Sequence, residues 1–447
     1  MSAGGIARPG TGWGAGLRAG LLAAAALTLA ACSDDGPPTL EGERVALRTA
    51  PPEAAMATTR PIPPARTQDD WTQSGGGADR PGGHLTAPTA PALAWNVDAG
   101  APIARSLRPS GPVVTDGRVF VRDGAGAVLA FEAGSGRSLW RADLTPSGER
   151  GAAGHGGGLA ADGGRLFATT GFGEVVALNP ASGERLWTHR AEAPFGAPPA
   201  AAEGLVIAVT RGGEALGLSA EDGGVLWRAA SGLDRSGNLP GAAAAITQGV
   251  AAVPFGSGEI QLVRANRGVR IWAGALFSSG AAQGLGMFSD VTSDPVPAPG
   301  PAGPVIVAGN AGGALGAWDG RSGRPLWQRT FGSLSPVWVA GDTLFAATTE
   351  PRLVRLDLAT GATLWATDLP TFRRPDRREG PITYAGPVLA GGRLLVTTSE
   401  GALLSFDPAT GTQLSEVDLP GGSSTGPVVA GGTIYVLNDR GRLLAFR

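Results

Sequence analysis

A nine-residue motif recurs along this chain and constrains its fold more than any other feature. In one copy Asp357 comes first, Gly361 follows four positions later, and Leu364-Trp365 ends the motif. Other copies keep this order of a polar residue, Gly, an aliphatic residue and Trp, except that Ser415 replaces Trp in the last. The copies begin at Glu132, Asn179, Ser219, Arg264, Asp319, Asp357 and Asp407. Such a repeat indicates stacked supersecondary units rather than one irregular core.

Each repeat contains the parts of a four-stranded antiparallel sheet. An apolar run follows Gly-Pro, a second run follows a Gly turn, and a third run leads into the motif, as in 426–429, 392–396 and 402–406. Short strands separated by turns and repeated in this way predict a β-propeller. We expect each Trp to pack between neighbouring blades, where one aromatic side chain buries about 150–250 Å². The predicted docking residues are Trp95, Trp140, Trp187, Trp227, Trp272, Trp327 and Trp365.

The two ends of the repeat region supply complementary parts of one blade. The last unit stops at Arg447 without a Leu-Trp strand, and Leu93-Ala94-Trp95 precedes the first complete unit. We therefore predict an all-β, eight-bladed propeller of four-stranded antiparallel blades, in which the N-terminal strand closes the last blade. Such closure protects sheet edges that would otherwise aggregate. A seven-bladed propeller with a separate N-terminal strand is the alternative.

The chain begins with a predicted targeting segment, residues 1–31. Arg8 and Arg18 precede the apolar run 21–31, which is too short to span a bilayer and is typical of a signal peptide. Cys32 is the only cysteine and follows Leu-Ala-Ala, a pattern that resembles the bacterial lipobox. Lipidation of Cys32 would anchor the mature chain. The alternative is an ordinary signal peptide beside an incidental cysteine.

Residues 32–90 differ in composition from the repeat region, residues 91–447. They carry many Pro, Ala, Thr and Gly residues and show no sustained periodicity. This composition predicts a mostly disordered tether with one local contact at Trp71. Ser33, rather than an acidic residue, follows the cysteine, and by resemblance to enteric sorting rules this favours the outer membrane.

The repeat resembles the tryptophan-docking motif of propellers related to pyrroloquinoline quinone enzymes. Together with the lipobox, the chain length and the predicted eight blades, residues 91–447 resemble the outer-membrane assembly factor BamB family. The resemblance implies a non-enzymatic lipoprotein without a cofactor, bound to the periplasmic face of the bacterial outer membrane. It also implies binding to the periplasmic domains of the barrel-inserting subunit and assistance in inserting β-barrel proteins.

Two irregular segments are the expected partner contacts. The interval between Arg264 and Asp319, 55 residues, is the longest between copies, and the preceding segment 233–240 is also irregular. In the resembled family these segments carry an arginine and an acidic Ser-Asp-Val stretch that dock the barrel-inserting subunit. Thr292 occupies the position of the family's second acid. The predicted partner-binding residues are Leu233, Arg235, Leu239, Asp290 and Asp294. An internal Arg235–Asp290 pair that only joins the two loops is the alternative.

A quinone-dependent dehydrogenase is the enzymatic alternative, because such enzymes share the repeat and hold a quinone and calcium in a central funnel. Their vicinal cysteine pair is impossible here, and no carboxylate cluster has metal-ligand spacing. His84, His155 and His189 lie far apart in the sequence. The sequence therefore predicts no catalytic residue and no metal site.

Two further binding functions can be weighed from composition. The net charge of −2 gives no general attraction to nucleic acid or anionic lipid. The run Arg373–Glu379 is predicted to be a solvated loop, with contact to an acidic partner as the alternative. A carbohydrate- or peptidoglycan-binding module would need exposed aromatic side chains, for which Trp318 and Trp338 are the candidates.

Overall fold

Each repeat folds into four consecutive antiparallel strands. The structure, a computed structural model, describes residue 1 and residues 60–103, 110–150, 156–233, 241–277 and 289–447. Residues 1–53 separate from a compact unit that spans Ala54–Arg447. Within the described ranges no helix is long and apolar enough to cross a membrane.

The first part of the chain contains three strands that precede the repeats, and then sheets 1 to 4. The preceding strands are β1 (Ala65–Arg66), β2 (His84–Leu85) and β3 (Leu93–Asp98). Sheet 1 contains β4 (Val113–Thr115), β5 (Arg118–Arg122), β6 (Ala127–Glu132) and β7 (Ser138–Asp143). Sheet 2 contains β8 (Gly157–Asp162), β9 (Arg165–Thr170), β10 (Glu174–Leu178) and β11 (Arg185–Arg190). Sheet 3 contains β12 (Ala200–Ala202), β13 (Leu205–Val209), β14 (Glu214–Ser219) and β15 (Val225–Ala230). Sheet 4 contains β16 (Ala245–Thr247), β17 (Val250–Pro254), β18 (Glu259–Arg264) and β19 (Arg270–Ala275).

The remaining strands form sheets 5 to 8 and one hairpin. Sheet 5 contains β20 (Val291–Gly300), β21 (Gly303–Asn310), β22 (Leu315–Asp319) and β23 (Pro325–Arg329). Sheet 6 contains β24 (Trp338–Ala340), β25 (Thr343–Ala347), β26 (Arg352–Asp357) and β27 (Thr363–Asp368). The hairpin β28 (Phe372–Arg374) and β29 (Glu379–Pro381) encloses a short 3-10 helix, Pro375–Arg377. Sheet 7 contains β30 (Tyr384–Ala390), β31 (Arg393–Thr398), β32 (Ala402–Phe406) and β33 (Gln413–Asp418). Sheet 8 contains β34 (Val428–Ala430), β35 (Thr433–Leu437), β36 (Arg442–Phe446) and β3.

The core lies between the sheets. The first three strands of most sheets are nearly continuous apolar runs buried on both faces, whereas the fourth strand alternates exposed and covered residues. Phe167 of sheet 2, for example, shares a buried cluster with Leu216 and Leu218 of sheet 3. Two-sided burial explains why these strands lack the polar alternation of a half-exposed sheet.

The N-terminal strand closes the last sheet, as the sequence predicts. Strand β3 pairs antiparallel with β36, and Trp95 lies opposite Ala445. Backbone hydrogen bonds of 2.9 Å in both directions between Ala92 and Arg447 extend this pairing to the end of the chain. Sheet 8 therefore gains its fourth strand from the other end of the sequence, and its β36 edge does not remain open.

Residues 60–90 are ordered against the sheets, so the predicted disordered tether is wrong for this part of the chain. Strands β1 and β2 pair in parallel, and β2 joins the edge of sheet 7 at Leu85↔Ala390. Trp71 is buried and forms an antiparallel bridge with Val114. We call residues 65–87 the strap. The predicted signal peptide, Cys32 and the tether up to residue 59 lie outside the described residues.

Candidate functional site

The predicted docking tryptophans each bridge two neighbouring sheets. Each indole Nε1–H donates a hydrogen bond to a backbone carbonyl in the motif turn of the next sheet, at distances from 2.7 to 3.3 Å. Trp95 makes this contact from sheet 8 to sheet 1, so the contacts run from sheet 8 through sheet 1 as far as sheet 7. The donor and acceptor pairs are Trp95–Ala133, Trp140–Pro180, Trp187–Ala220, Trp227–Ala265, Trp272–Gly320, Trp327–Leu358 and Trp365–Pro408.

The glycine of each motif faces the indole of the preceding repeat. At Gly183 an added Cβ atom would lie 2.6 Å from Cε3 of Trp140, and at Gly361 it would lie 2.5 Å from Cδ2 of Trp327. These glycines also have positive φ, 74° and 68°. Motif Gly and motif Trp are therefore two halves of one contact between successive repeats. A side chain at this Gly would displace the ring.

Ser415 replaces Trp at the one place where no motif turn follows. Sheet 7 precedes sheet 8, in which β36 ends the chain and β3 comes from the N-terminus, so no turn joins the last two strands. The Ser415 hydroxyl instead hydrogen-bonds to the Ser405 hydroxyl of its own sheet at 2.6 Å. The missing indole thus follows from the way the ring closes.

A small cavity lies in the central channel that the first strands enclose. Its volume is about 100 Å³. Gly-Pro and Ser-Pro segments that lead into the first strands form its walls, and strap residues Trp71, Ser74 and Gly75 line it as well. Strap residues therefore form part of the wall of this cavity.

Asp294 holds the strap inside the channel, so the prediction that it contacts a partner is wrong. It is 2% exposed. Its carboxylate accepts hydrogen bonds from the Ser74 hydroxyl and from the Ala243 amide, the latter at 2.9 Å. Arg80 Nη2 lies 3.5 Å from Asp294 Oδ2 and also donates to the Ala244 carbonyl at 2.8 Å. Burial lowers the pKa of the Arg80 guanidinium, and the Asp294 charge opposes this shift.

The other predicted partner residues are not assembled into one exposed patch. Leu233 is 42% exposed at the end of the segment that follows β15. Asp290 is 2% exposed and offers no outer surface. Arg235 and Leu239 lie outside the described residues, and their role stays a prediction. Phe277 follows β19, is 71% exposed, and is an apolar residue that sequence reasoning missed. It lies in the long interval between Arg264 and Asp319, which could have indicated it.

The residues considered for carbohydrate binding and for an acidic partner make contacts within the fold. Trp318 and Trp338 are 3% and 4% exposed, so neither provides the exposed aromatic face that carbohydrate binding needs. Trp338 stacks on Trp71 with ring centroids 5.9 Å apart. The predicted solvated loop forms the exposed hairpin β28–β29, where Arg374 pairs with Glu379 at 3.0 Å.

The described histidines do not form a metal site. His84 lies in β2 rather than in a disordered tether; its Nε2 accepts from the Gly392 amide at 2.8 Å. His189 lies in β11, and burial lowers the pKa of its imidazole, with the Arg228 charge adding to the shift. Among the described residues no group of three or more His, Cys, Asp or Glu could hold a metal ion. His155 lies outside them.

The cavity is small for the quinone of the dehydrogenases that share the repeat. Ligand sites usually enclose about 300–1,000 Å³, several times the cavity volume of about 100 Å³. Among the described residues that line the cavity, Asp294 is the one acid, and it is already engaged by Arg80, Ser74 and Ala243. The described part of the chain therefore shows no unengaged carboxylate at this cavity for the calcium that accompanies such a quinone.

A family model described as outer membrane protein assembly factor BamB matches residues 81–153, 124–367 and 371–447. The outer membrane protein assembly factor BamB of Yersinia pestis is 26% identical over 307 residues, which cover 67% of this chain and 76% of that protein. The sequence similarity therefore extends over most of the repeat region.

Two solved structures share the β-propeller fold. BamB from Moraxella catarrhalis superposes with a TM-score of 0.64 at 16% identity, over 80% of this chain and 100% of that chain. Quinohemoprotein alcohol dehydrogenase from Comamonas testosteroni gives a TM-score of 0.64 at 15% identity, over 85% of this chain and 80% of that chain. At such identities the likeness concerns the fold alone, and fold does not determine function.

Proposed function

Because the chain belongs to the outer membrane protein assembly factor BamB family, we propose that it is a non-enzymatic scaffold in the assembly of outer-membrane β-barrel proteins. The observation that carries the proposal is the family match, which spans nearly all residues from 81 to 447. The similar protein of Yersinia pestis carries the same name. The dehydrogenase function receives no comparable support, since its likeness is limited to fold and the described cavity, about 100 Å³, is small for a ligand site.

The proposed molecule is an eight-bladed propeller in which sheets 1 to 8 are the blades. The series of Trp contacts that returns from sheet 8 to sheet 1 supports this blade count. Cys32 is its proposed lipidation site, and the lipid holds it on the periplasmic side of the outer membrane. The apolar run 21–31 that ends in Leu-Ala-Ala-Cys supports the anchor.

The proposed partner is the barrel-inserting subunit of the assembly machinery, bound through the loops after sheets 3 and 4. Leu233 and Phe277 follow the last strands of these adjacent sheets and are both exposed. Arg235 and Leu239 follow Leu233 closely in the sequence. Arg is favoured at such contacts because its guanidinium pairs bidentately with carboxylates while its aliphatic part packs. Asp294 is no longer part of this surface, because the strap engages it.

Binding to the purified periplasmic domains of the barrel-inserting subunit tests the partner surface. Arg235→Glu and Leu233→Glu should each weaken binding at least about tenfold, as expected for contacts at an interface centre. Leu226→Glu is the matched control, because Leu226 is 53% exposed on the outer strand of the same sheet. Unchanged affinity for both loop variants, with unchanged melting temperatures, would reject this surface.

The anchor is tested separately. In cells, Cys32→Ser should move the protein from the membrane fraction to the soluble fraction, because acyl chains on this residue supply the membrane affinity. Mass spectrometry of the mature N-terminal peptide should show acylated Cys32. An unmodified cysteine in a membrane-bound protein would contradict the proposed lipidation.

A further inference from the structure

The strap contacts every sheet in ring order. Starting at Gln68 and ending at Leu85, it passes sheet 8, then sheets 1 to 3, then sheets 4 to 6, and finally sheet 7. Each contact is a hydrogen bond to the first strand of a sheet, to the turn that follows it, or to the residues that lead into it. Amides that donate to strap carbonyls are Gly431 in sheet 8, Val114 in sheet 1, Ala161 in sheet 2, Ile246 in sheet 4 and Gly391 in sheet 7.

These contacts satisfy an edge that a propeller otherwise leaves open. The first strand of each sheet pairs with only one neighbour, so its inner edge presents unpaired N–H and C=O groups to the channel. Trp71 pairs with Val114 through two backbone hydrogen bonds of 2.7 and 2.8 Å. Gln73 reaches sheet 3 with its side-chain amide, which donates to Ala201 O at 2.9 Å and accepts from the Ala201 amide.

No described backbone amide of sheets 5 and 6 donates to a strap carbonyl, and buried side chains hold the strap on these sheets instead. Arg80 links the carbonyls of Ala243 and Ala244 before sheet 4 to Asp294 of sheet 5. On sheet 6, Trp338 Nε1 donates to Gly83 O at 2.6 Å, and the Gly83 amide donates to Val339 O at 2.7 Å.

We infer that the strap is one cooperative clasp that holds the sheets in a closed ring and seals one end of the channel. Its contacts are one or a few hydrogen bonds to each sheet, and each bond alone contributes little. Apart from the pairing of β1 with β2, the strap has no sheet of its own. Loss of one contact between the strap and a sheet therefore releases the neighbouring strap residues, so the contacts form and break together. This inference does not depend on the proposed function.

The clasp gives the ring two unlike ends. Its first and last contacts, at Gly431 and Gly391, lie at the end where the first strand turns into the second, whereas its Arg80 contacts lie where the chain enters sheet 4. The cavity opens at the other end, where the chain enters each first strand. Leu233 and Phe277 follow fourth strands and thus lie at this open end. Among the described residues, the cavity, Leu233 and Phe277 therefore lie at the same end of the ring.

Hydrogen exchange at single-residue resolution in the full-length protein tests the clasp. Arg80→Met removes the cation and, apart from its bonds to Gly77 and Ala78 within the strap, touches only the contacts with sheets 4 and 5. If the strap is one unit, exchange should rise at least about tenfold at the Ala161, Gly391 and Gly431 amides, which lie on other sheets. Arg141→Met is the matched control, since it breaks a pair of 3.0 Å with buried Asp123 in sheet 1 away from the strap. A rise confined to Ile246 and its neighbours in sheets 4 and 5 would overturn the clasp.

The wild-type protein provides a second measurement that does not depend on the variant folding. Under native conditions with increasing low urea, the amides that donate to strap carbonyls should converge on one common opening free energy. Separate opening free energies for sheets 2, 4 and 7 would show independent contacts, and the inference would fail.

Discussion

Replacing Gly223 by Ala perturbs one indole contact between two sheets. Gly223 lies in the motif turn of sheet 3 with a φ of 74°. An added Cβ atom would lie 2.6 Å from Cε3 of Trp187, closer than real Cβ atoms approach another atom. The indole must therefore move away, and its 3.1 Å hydrogen bond to Ala220 O lengthens or breaks.

The expected loss of stability has two parts. A non-glycine residue in the left-handed conformation costs about 1–2 kcal/mol. Overpacking of the indole adds about 1–3 kcal/mol. At Gly204 an alanine would have only the conformational cost, because the φ of Gly204 is 76° and an added Cβ atom would meet nothing within 4 Å. Gly223→Ala should thus lower the free energy of unfolding by about 2–5 kcal/mol and Gly204→Ala by about 1–2 kcal/mol.

Urea unfolding followed by tryptophan fluorescence and by circular dichroism measures this difference. The two variants should share the wild-type dependence of free energy on urea, and only their midpoints should differ. Equal midpoints for Gly223→Ala and Gly204→Ala would refute the reasoning, since the indole contact would then contribute nothing.

Two further predictions concern a docked indole and a half-buried phenol. Trp227 is 6% exposed and donates to Ala265 O at 2.7 Å, so Trp227→Ala should cost about 3–5 kcal/mol in urea unfolding. Leu226→Ala, at a side chain 53% exposed, should change stability by less than about 0.5 kcal/mol, and comparable losses for the two variants would contradict inter-sheet docking. Burial raises the pKa of Tyr384 to about 12, and its hydroxyl donates to Pro370 O at 2.8 Å. The unfolded chain ionises near pH 10, so the contribution of Tyr384 is complete below about pH 10 and is lost as pH rises to about 12. The melting temperature of Tyr384→Phe should therefore fall less over this interval than that of the wild type; identical slopes would show that the phenol is not linked to folding.

The repeat made much of the fold predictable from sequence. Motif glycines and tryptophans occur at fixed spacing because all sheets except sheet 7 dock on the next sheet through the same indole contact, so the sequence repeats the residues of that contact. The position of Trp95 before the first repeat likewise predicted the strand that pairs with β36. Ser415 was a second sign of this closure in the sequence. Sheet 8 lacks the motif turn on which a tryptophan at position 415 would dock.

The strap could not be predicted, because each of its contacts occurs once and joins distant parts of the chain. Arg80 and Ala244, for example, are 164 positions apart. The Pro- and Gly-rich composition of the strap is also typical of a tether, and only Trp71 signalled a packed contact. The same limit applies to Asp294: resemblance placed it on a partner surface, whereas the strap, which the sequence did not reveal, buries it.

Purification of the intact protein from native membranes, followed by mass spectrometry of the proteins that accompany it, shows whether this chain belongs to a barrel-assembly complex. We expect the barrel-inserting subunit to co-purify with the wild-type protein and with Leu226→Glu, and to be lost with Leu233→Glu. If the protein leaves the membrane with no assembly subunit, under conditions that keep its propeller folded, the proposed scaffold function is wrong.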